Sequence, residues 1–139
     1  MSPRQPSRLQ PCSKADASTR LRHARSFLEV ARLVAEEGDD LDYSSPSAAL
    51  AVLSGIAASD AACCKALGRR ARGPDHNEAA ALVEQVTPGG KKAANSLRRL
   101  LSLKDEAQYG LFDIGGQQLK AALRQASDLV DFAEDILRR

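Results

Sequence analysis

Residues 48–68 read AALAVLSGIAASDAACCKALG, and this stretch decides the fold. Wound as a helix it is apolar nearly all round, which marks an element packed on several sides and not a surface helix. Its side chains are small and mostly alanine, so neighbouring helices can approach it closely. Upstream, Ser44, Ser45 and Pro46 give a start signal, a capping hydroxyl followed by a proline suited to the first helical turn. The reading predicts a central helix over about 46–69. A run this long raises the question of a membrane, but Asp60 and Lys65 interrupt it, and alanine is too weakly hydrophobic to favour lipid over water. No transmembrane helix and no membrane partner are expected.

On the N-terminal side, Ala17, Leu21, Ala24, Leu28, Ala31 and Ala35 recur at steps of three and four, predicting an amphipathic helix over about 16–37. Gly38 stops it, and the acidic GDDLD that follows reads as a solvated loop. Residues 1–14 are basic and Pro-rich with no apolar core of a signal peptide, and are expected to form a disordered tail. On the C-terminal side, Asp75 with Glu78 three residues on resembles a capping box and opens a short helix over about 76–86. Thr87-Pro88-Gly89-Gly90 breaks the chain, and KKAANSLRRLLSLK forms the next helix. KDEAQYGLFDIGG reads as irregular, with at most a helical turn. The last helix, about 114–137, carries Leu119, Ala122, Leu123, Ala126, Leu129, Val130, Ala133 and Leu137 at helical spacing. No stretch alternates with period two for long enough to make a strand. The expected architecture is all-α, an up-and-down bundle of four main helices plus a short one in a single domain over 15–139.

Composition agrees with that reading. The chain has 139 residues, 43% hydrophobic and 27% charged, enough to bury a core without metal or disulfides. Three cysteines, Cys12 and the adjacent Cys63 and Cys64, make an odd number with no CxxC, so a disulfide or zinc site is not expected and the pair reads as core filler in a reducing cytoplasm. A net charge of +2 is too small to require a nucleic-acid partner. It hides an uneven distribution, because residues 63–104 carry nine basic against three acidic side chains. Arg69, Arg70, Arg72, Lys91, Lys92, Arg98 and Arg99 can form a phosphate-binding face, or can pair with the acidic flanking helices inside the bundle. The second is preferred, since central helices must neighbour terminal ones in a bundle this small.

Few residues suggest chemistry. His76, at a helix start beside three arginines, could accept a proton while the arginines hold a phosphodiester; its plainer role is to hydrogen-bond the loop. His23 is expected to be merely exposed. Asp60, inside the most apolar helix, must be paired, with an Arg or Tyr of a neighbouring helix as the expected partner and helix register as the expected role. Tyr109 carries a hydroxyl that needs a partner if buried. Neither the two histidines nor the scattered carboxylates suggest a metal, and no cofactor is expected.

Taken together, the Ala-rich helix AASDAACCKALGRR, the loop and helix PDHNEAAALV, the KDEAQYG landmark and the final helix LKAALRQASDLVDFAEDIL resemble the HEPN family of small prokaryotic helical bundles, over about residues 16–138. The resemblance implies a metal-independent ribonuclease of a toxin–antitoxin or defence system. It implies a homodimer working on RNA in the cytoplasm, beside a nucleotidyltransferase or antitoxin-like partner. The family's signature, an Arg followed after four to six residues by a His, falls here on Arg70 and His76, with Arg72 in support. Cleavage would proceed by attack of a ribose 2′-hydroxyl, with His76 as general base or acid and Arg70 stabilising the phosphorane-like charge. The rival expectations are a non-catalytic nucleic-acid- or nucleotide-binding module using Arg69, Lys91, Lys92 and Arg98, and a protein-interaction module.

Overall fold

The structure, a computed structural model, describes residues 9–37, 43–73 and 75–139. Gly38 and the rest of the GDDLD loop lie outside the described residues, as do the first eight residues of the expected tail. Strand β1 (Leu9–Pro11) leads into α1 (Lys14–Glu37), followed by α2 (Ser44–Leu67), β2 (Arg69–Ala71), α3 (His76–Glu84), α4 (Gly90–Tyr109) and α5 (Gly116–Leu137). This is the all-α bundle expected, four long helices and one short one.

Helix α2 lies at its centre against α1, α4 and α5. By length and composition it could cross a membrane, yet 78% of its most apolar window is buried inside the bundle. The α1–α2 hairpin is antiparallel and closed by small residues. Ser47 Oγ donates to the Ala31 carbonyl and Ser54 Oγ to the Ala24 carbonyl, both at 2.7 Å, one heptad apart on each helix. Only small side chains let a hydroxyl of one helix reach the backbone of the next, and Ala17, Ala24 and Ala31 are all fully buried along this seam. On its other side α2 offers a shallow surface of alanines into which Leu97 and Leu100 of α4 and Leu129 of α5 pack, each worth about 2 kcal/mol on burial. At Gly55 a Cβ would meet the Leu100 Cδ1 and sit 3.1 Å from the Leu129 Cδ1, so a larger residue there would oblige both leucine side chains to shift.

Helix α5 runs antiparallel to α1, since Arg25 pairs with Glu134 at 2.8 Å and Arg32 reaches Ser127 at 3.1 Å. Helix α4 runs antiparallel to α5, with Gly89 beside Phe132 at one end and the short 110–115 connection at the other. The start of α5 therefore lies at the end of the bundle where α1 finishes and α2 begins, while Leu101 and Lys104 of α4 lie beside Asp60, Cys63, Ala71 and His76. The opposite end carries the start of α1 and the ends of α2 and α5.

Several local expectations change. Residues 9–14, expected as disordered tail, hold β1 and the first residue of α1; β1 pairs antiparallel with β2 in the register Leu9↔Ala71, Gln10↔Arg70, Pro11↔Arg69. Two strands of three residues are too short to show a period-two pattern. Cys12 and Cys64 form a disulfide, Cα–Cα 5.3 Å, against the expectation of none. Only Cys63 is the buried free thiol expected. Ser13 and Asp16 cap α1 reciprocally, the Ser13 N–H donating to Asp16 Oδ2 at 2.8 Å and the Asp16 N–H to Ser13 Oγ at 3.0 Å. Helix α2 starts from Tyr43, whose side chain makes no capping bond, in place of the expected serine cap. It ends at Gly68, whose φ of 72° only glycine adopts freely. The Asp75 cap is present, accepting from the Asn77 and Glu78 N–H groups, but the returning arm is not, because Glu78 Oε1 is buried without a partner. Helix α3 stops at Glu84, and the Pro-Gly break follows with a cis Thr87–Pro88 bond. Helix α4 continues through KDEAQ to Tyr109, where an irregular segment was expected. Glu, Ala and Gln are good helix formers even without an apolar stripe.

Candidate functional site

Asp60 sits at the carboxyl-terminal third of α2, 8% exposed, where an unpaired carboxylate could not be tolerated. Its Oδ2 accepts from Arg20 of α1 at 3.0–3.1 Å and from Arg70 of β2 at 3.1 Å. The expectation of an Arg partner from a neighbouring helix is met by Arg20, and Arg70 of β2 adds a second. Burial pushes the Asp60 carboxyl above its ordinary range, against the two guanidiniums that pull it down. Arg70 is aimed by the β1–β2 ladder, its Nε donating at 3.0 Å to Oε1 of Gln10, the residue directly across. Behind this cluster lies a recess of about 190 Å³ lined by Gln10, Cys12, Asp16, Arg20, Cys64 and Arg70.

His76, half-buried at the first turn of α3, belongs to a different cavity. That cavity, of about 80 Å³, has apolar walls from Ile56, Ala79, Leu82, Val83, Leu97 and Leu101. Its polar groups are Ser59, Asp60, Cys63, Asp75, His76 and Lys104. Burial, reinforced by the Asp60 charge and opposed by Arg69, pushes the Cys63 thiol up to about 12, so it is not a nucleophile near neutral pH. The expected Arg70–His76 pair therefore does not share a cavity. Asp60 stands between them, facing His76's cavity while holding Arg70. Arg72 is exposed in the β2–α3 segment.

The remaining basic residues do not make one face. Arg98 pairs with Glu84 across α3 and α4 at 2.5 Å. Lys92 lines a groove with Asp128, Asp131, Glu134 and Asp135 of α5. Lys91 is exposed beside it, a helix length of about 13 Å from the start of α3. Arg69 is exposed on β2. The preferred expectation, that basic helices pair with acidic ones inside the bundle, describes this arrangement better than a phosphate-binding stripe. His23 is exposed as expected, with Nδ1 3.3 Å from Arg20 Nη1. Tyr109, whose hydroxyl would need a partner if buried, is 78% exposed at the end of α4. Among the described residues no three His, Cys, Asp or Glu side chains gather as a metal site.

What residue-by-residue reading missed is the segment after Tyr109. Leu111 and Phe112 are 95% and 80% exposed, more than any other large hydrophobic among the described residues. An apolar pair flanked by Gly110 and Asp113 was the available signal. Compared with known proteins, the chain matches no family model, no curated protein and no solved structure.

Proposed function

We propose that this chain is a non-catalytic protein-interaction module whose working surface is the Tyr109–Phe112 segment at the end of α4. The observation that carries the reading is the near-complete exposure of Tyr109, Leu111 and Phe112 within four residues, above a core that is already closed. Large apolar side chains grouped on a surface mark contact sites. Support also comes from Arg70, whose Nε and Nη1 donate to Gln10 and Asp60 and hold the guanidinium in the Asp60 cluster. On this reading the resemblance to HEPN proteins is one of fold, and the ribonuclease expectation becomes the outcome that would overturn the proposal. The Cys12–Cys64 bond favours an oxidising compartment over the cytoplasm expected from sequence.

The test is cleavage of a labelled mixed RNA pool, without added metal, by the wild-type protein and His76→Ala. Arg70→Ala is a poor probe, since it leaves Asp60 with one partner and should cost about 2 kcal/mol of stability whatever the function. No cleavage by the wild type is expected. Cleavage that disappears in His76→Ala at unchanged melting temperature would restore the ribonuclease.

A further inference from the structure

Independently of the interaction reading, we infer that the Cys12–Cys64 bond is a redox latch: it holds β1 on β2, and β2 closes the cavity shared by Asp60, Cys63 and His76. Among the described residues β2 has no strand neighbour but β1, and a ladder of three residues is too short to persist by itself. Cys12 directly follows β1 and is bonded to Cys64 of α2, so the disulfide anchors one end of that ladder to the core. At the other end Ala71 pairs with Leu9 and both pack against the core. Ala71 also walls the cavity, together with Cys63, His76 and Leu101. Arg69, the first residue of β2, lies near enough to Cys63 to act on the charge of its thiol. Cys63 itself is 2% exposed.

The bond can be reached without unfolding, since Cys12 is half-buried and both cysteines line the recess of about 190 Å³ that also holds Arg20 and Arg70. A small dithiol attacks one sulfur as its thiolate, and the other cysteine leaves as a thiolate that takes up a proton. The reductant's second thiol then displaces the first cysteine, so the protein gains two electrons and two protons while the reductant becomes a disulfide. Freed of the bond, residues 9–12 keep the short ladder, the Gln10 contact to Arg70 and the Cys12 N–H bond to the Gly68 carbonyl. Such a ladder frays, β2 loses its neighbour, and solvent enters the cavity at Ala71. The helices keep their packing, because the reciprocal Ser13–Asp16 cap holds the start of α1 and the alanine seam begins beyond it, at Ala17.

The experiment uses the full chain and reads alkylation of Cys63 by iodoacetamide at pH 8, followed by mass spectrometry. With three cysteines in the chain, Cys63 is the one free thiol both in the oxidised wild type and in Cys12→Ser/Cys64→Ala. The double variant should react at least tenfold faster, because the wild-type thiol is covered and holds its proton to about pH 12. That rate should change little in dilute urea, as befits a local opening that exposes little surface. Hydrogen exchange should quicken at residues 9–12 and 69–71 and stay slow along the α1–α2 seam, and dithiothreitol added to the wild type should bring the same change. Equal alkylation rates, or exchange that dithiothreitol leaves unchanged, would show that β2 stays closed without the bond and would overturn the latch. A rate that climbs steeply with urea, or protection lost throughout the helices, would make the bond a support of the whole fold and overturn the latch too. Three reactive thiols in the wild type would remove the latch together with the bond.

Discussion

Asp60 shows how much one side chain can be asked to do in a helix made mostly of alanine. Its carboxylate joins α1, α2 and β2 through Arg20 and Arg70, and its burial still raises its proton affinity above that of the unfolded chain, where the ordinary value is 3.8. The sign of the consequence follows from linkage. Between 3.8 and the raised folded value the native state binds more protons than the unfolded one, so Asp60's contribution to stability grows as pH falls through that window and is lost as pH rises. Asp60→Asn cannot titrate there. Thermal melts of the two proteins from pH 7 to pH 3.5 should show the wild type gaining on Asp60→Asn as acid is added. A wild type that loses ground would mean that the two guanidiniums outweigh burial. The need for a partner, an Arg or a Tyr, was legible from sequence, because a carboxylate amid alanines must be paired or hydrogen-bonded. That Arg70 would be one of the two was not, since it depends on a strand three residues long.

At the scale of elements, the α1–α2 seam is held by what its residues lack. Ala24 has no exposed surface and its carbonyl accepts the Ser54 hydroxyl at 2.7 Å. Ala24→Leu would drive the two helices apart, at a cost of about 3 kcal/mol in urea unfolding. Ser54→Ala, which deletes a single buried hydrogen bond to a carbonyl already used within its helix, should cost about 1 kcal/mol. Equal effects would show that the seam tolerates wider spacing. The helices themselves were largely readable, because apolar periodicity and Pro-Gly breaks are local signals. The last turn of α4 was missed because it is polar on all sides, so propensity alone holds it. The disulfide was missed for another reason. Cys12 and Cys64 are 52 residues apart, and their meeting depends on Gly68 reversing the chain so that β2 can pair with β1, where the Cys12 N–H donates to the Gly68 carbonyl at 2.9 Å.

For the whole molecule, that bond closes most of the α1–α2 hairpin into a covalent loop. The chain-entropy estimate for a loop of this size is about 4 kcal/mol, so Cys12→Ser or treatment with dithiothreitol should lower the melting temperature by more than 10 °C. Cys63→Ser should leave that redox dependence intact, since the Cys63 thiol is buried and holds its proton to about pH 12. Insensitivity to reductant would mean that the two thiols are not joined in solution.

The sum of the helix directions also fixes where the chain enters and leaves. Lys14 begins α1 and Leu137 ends α5 at the same end, because α1 runs antiparallel to α5. A fluorophore attached at Leu137 would therefore sit at the end of the bundle that holds the Cys12–Cys64 bond, some 30 Å from the start of α5.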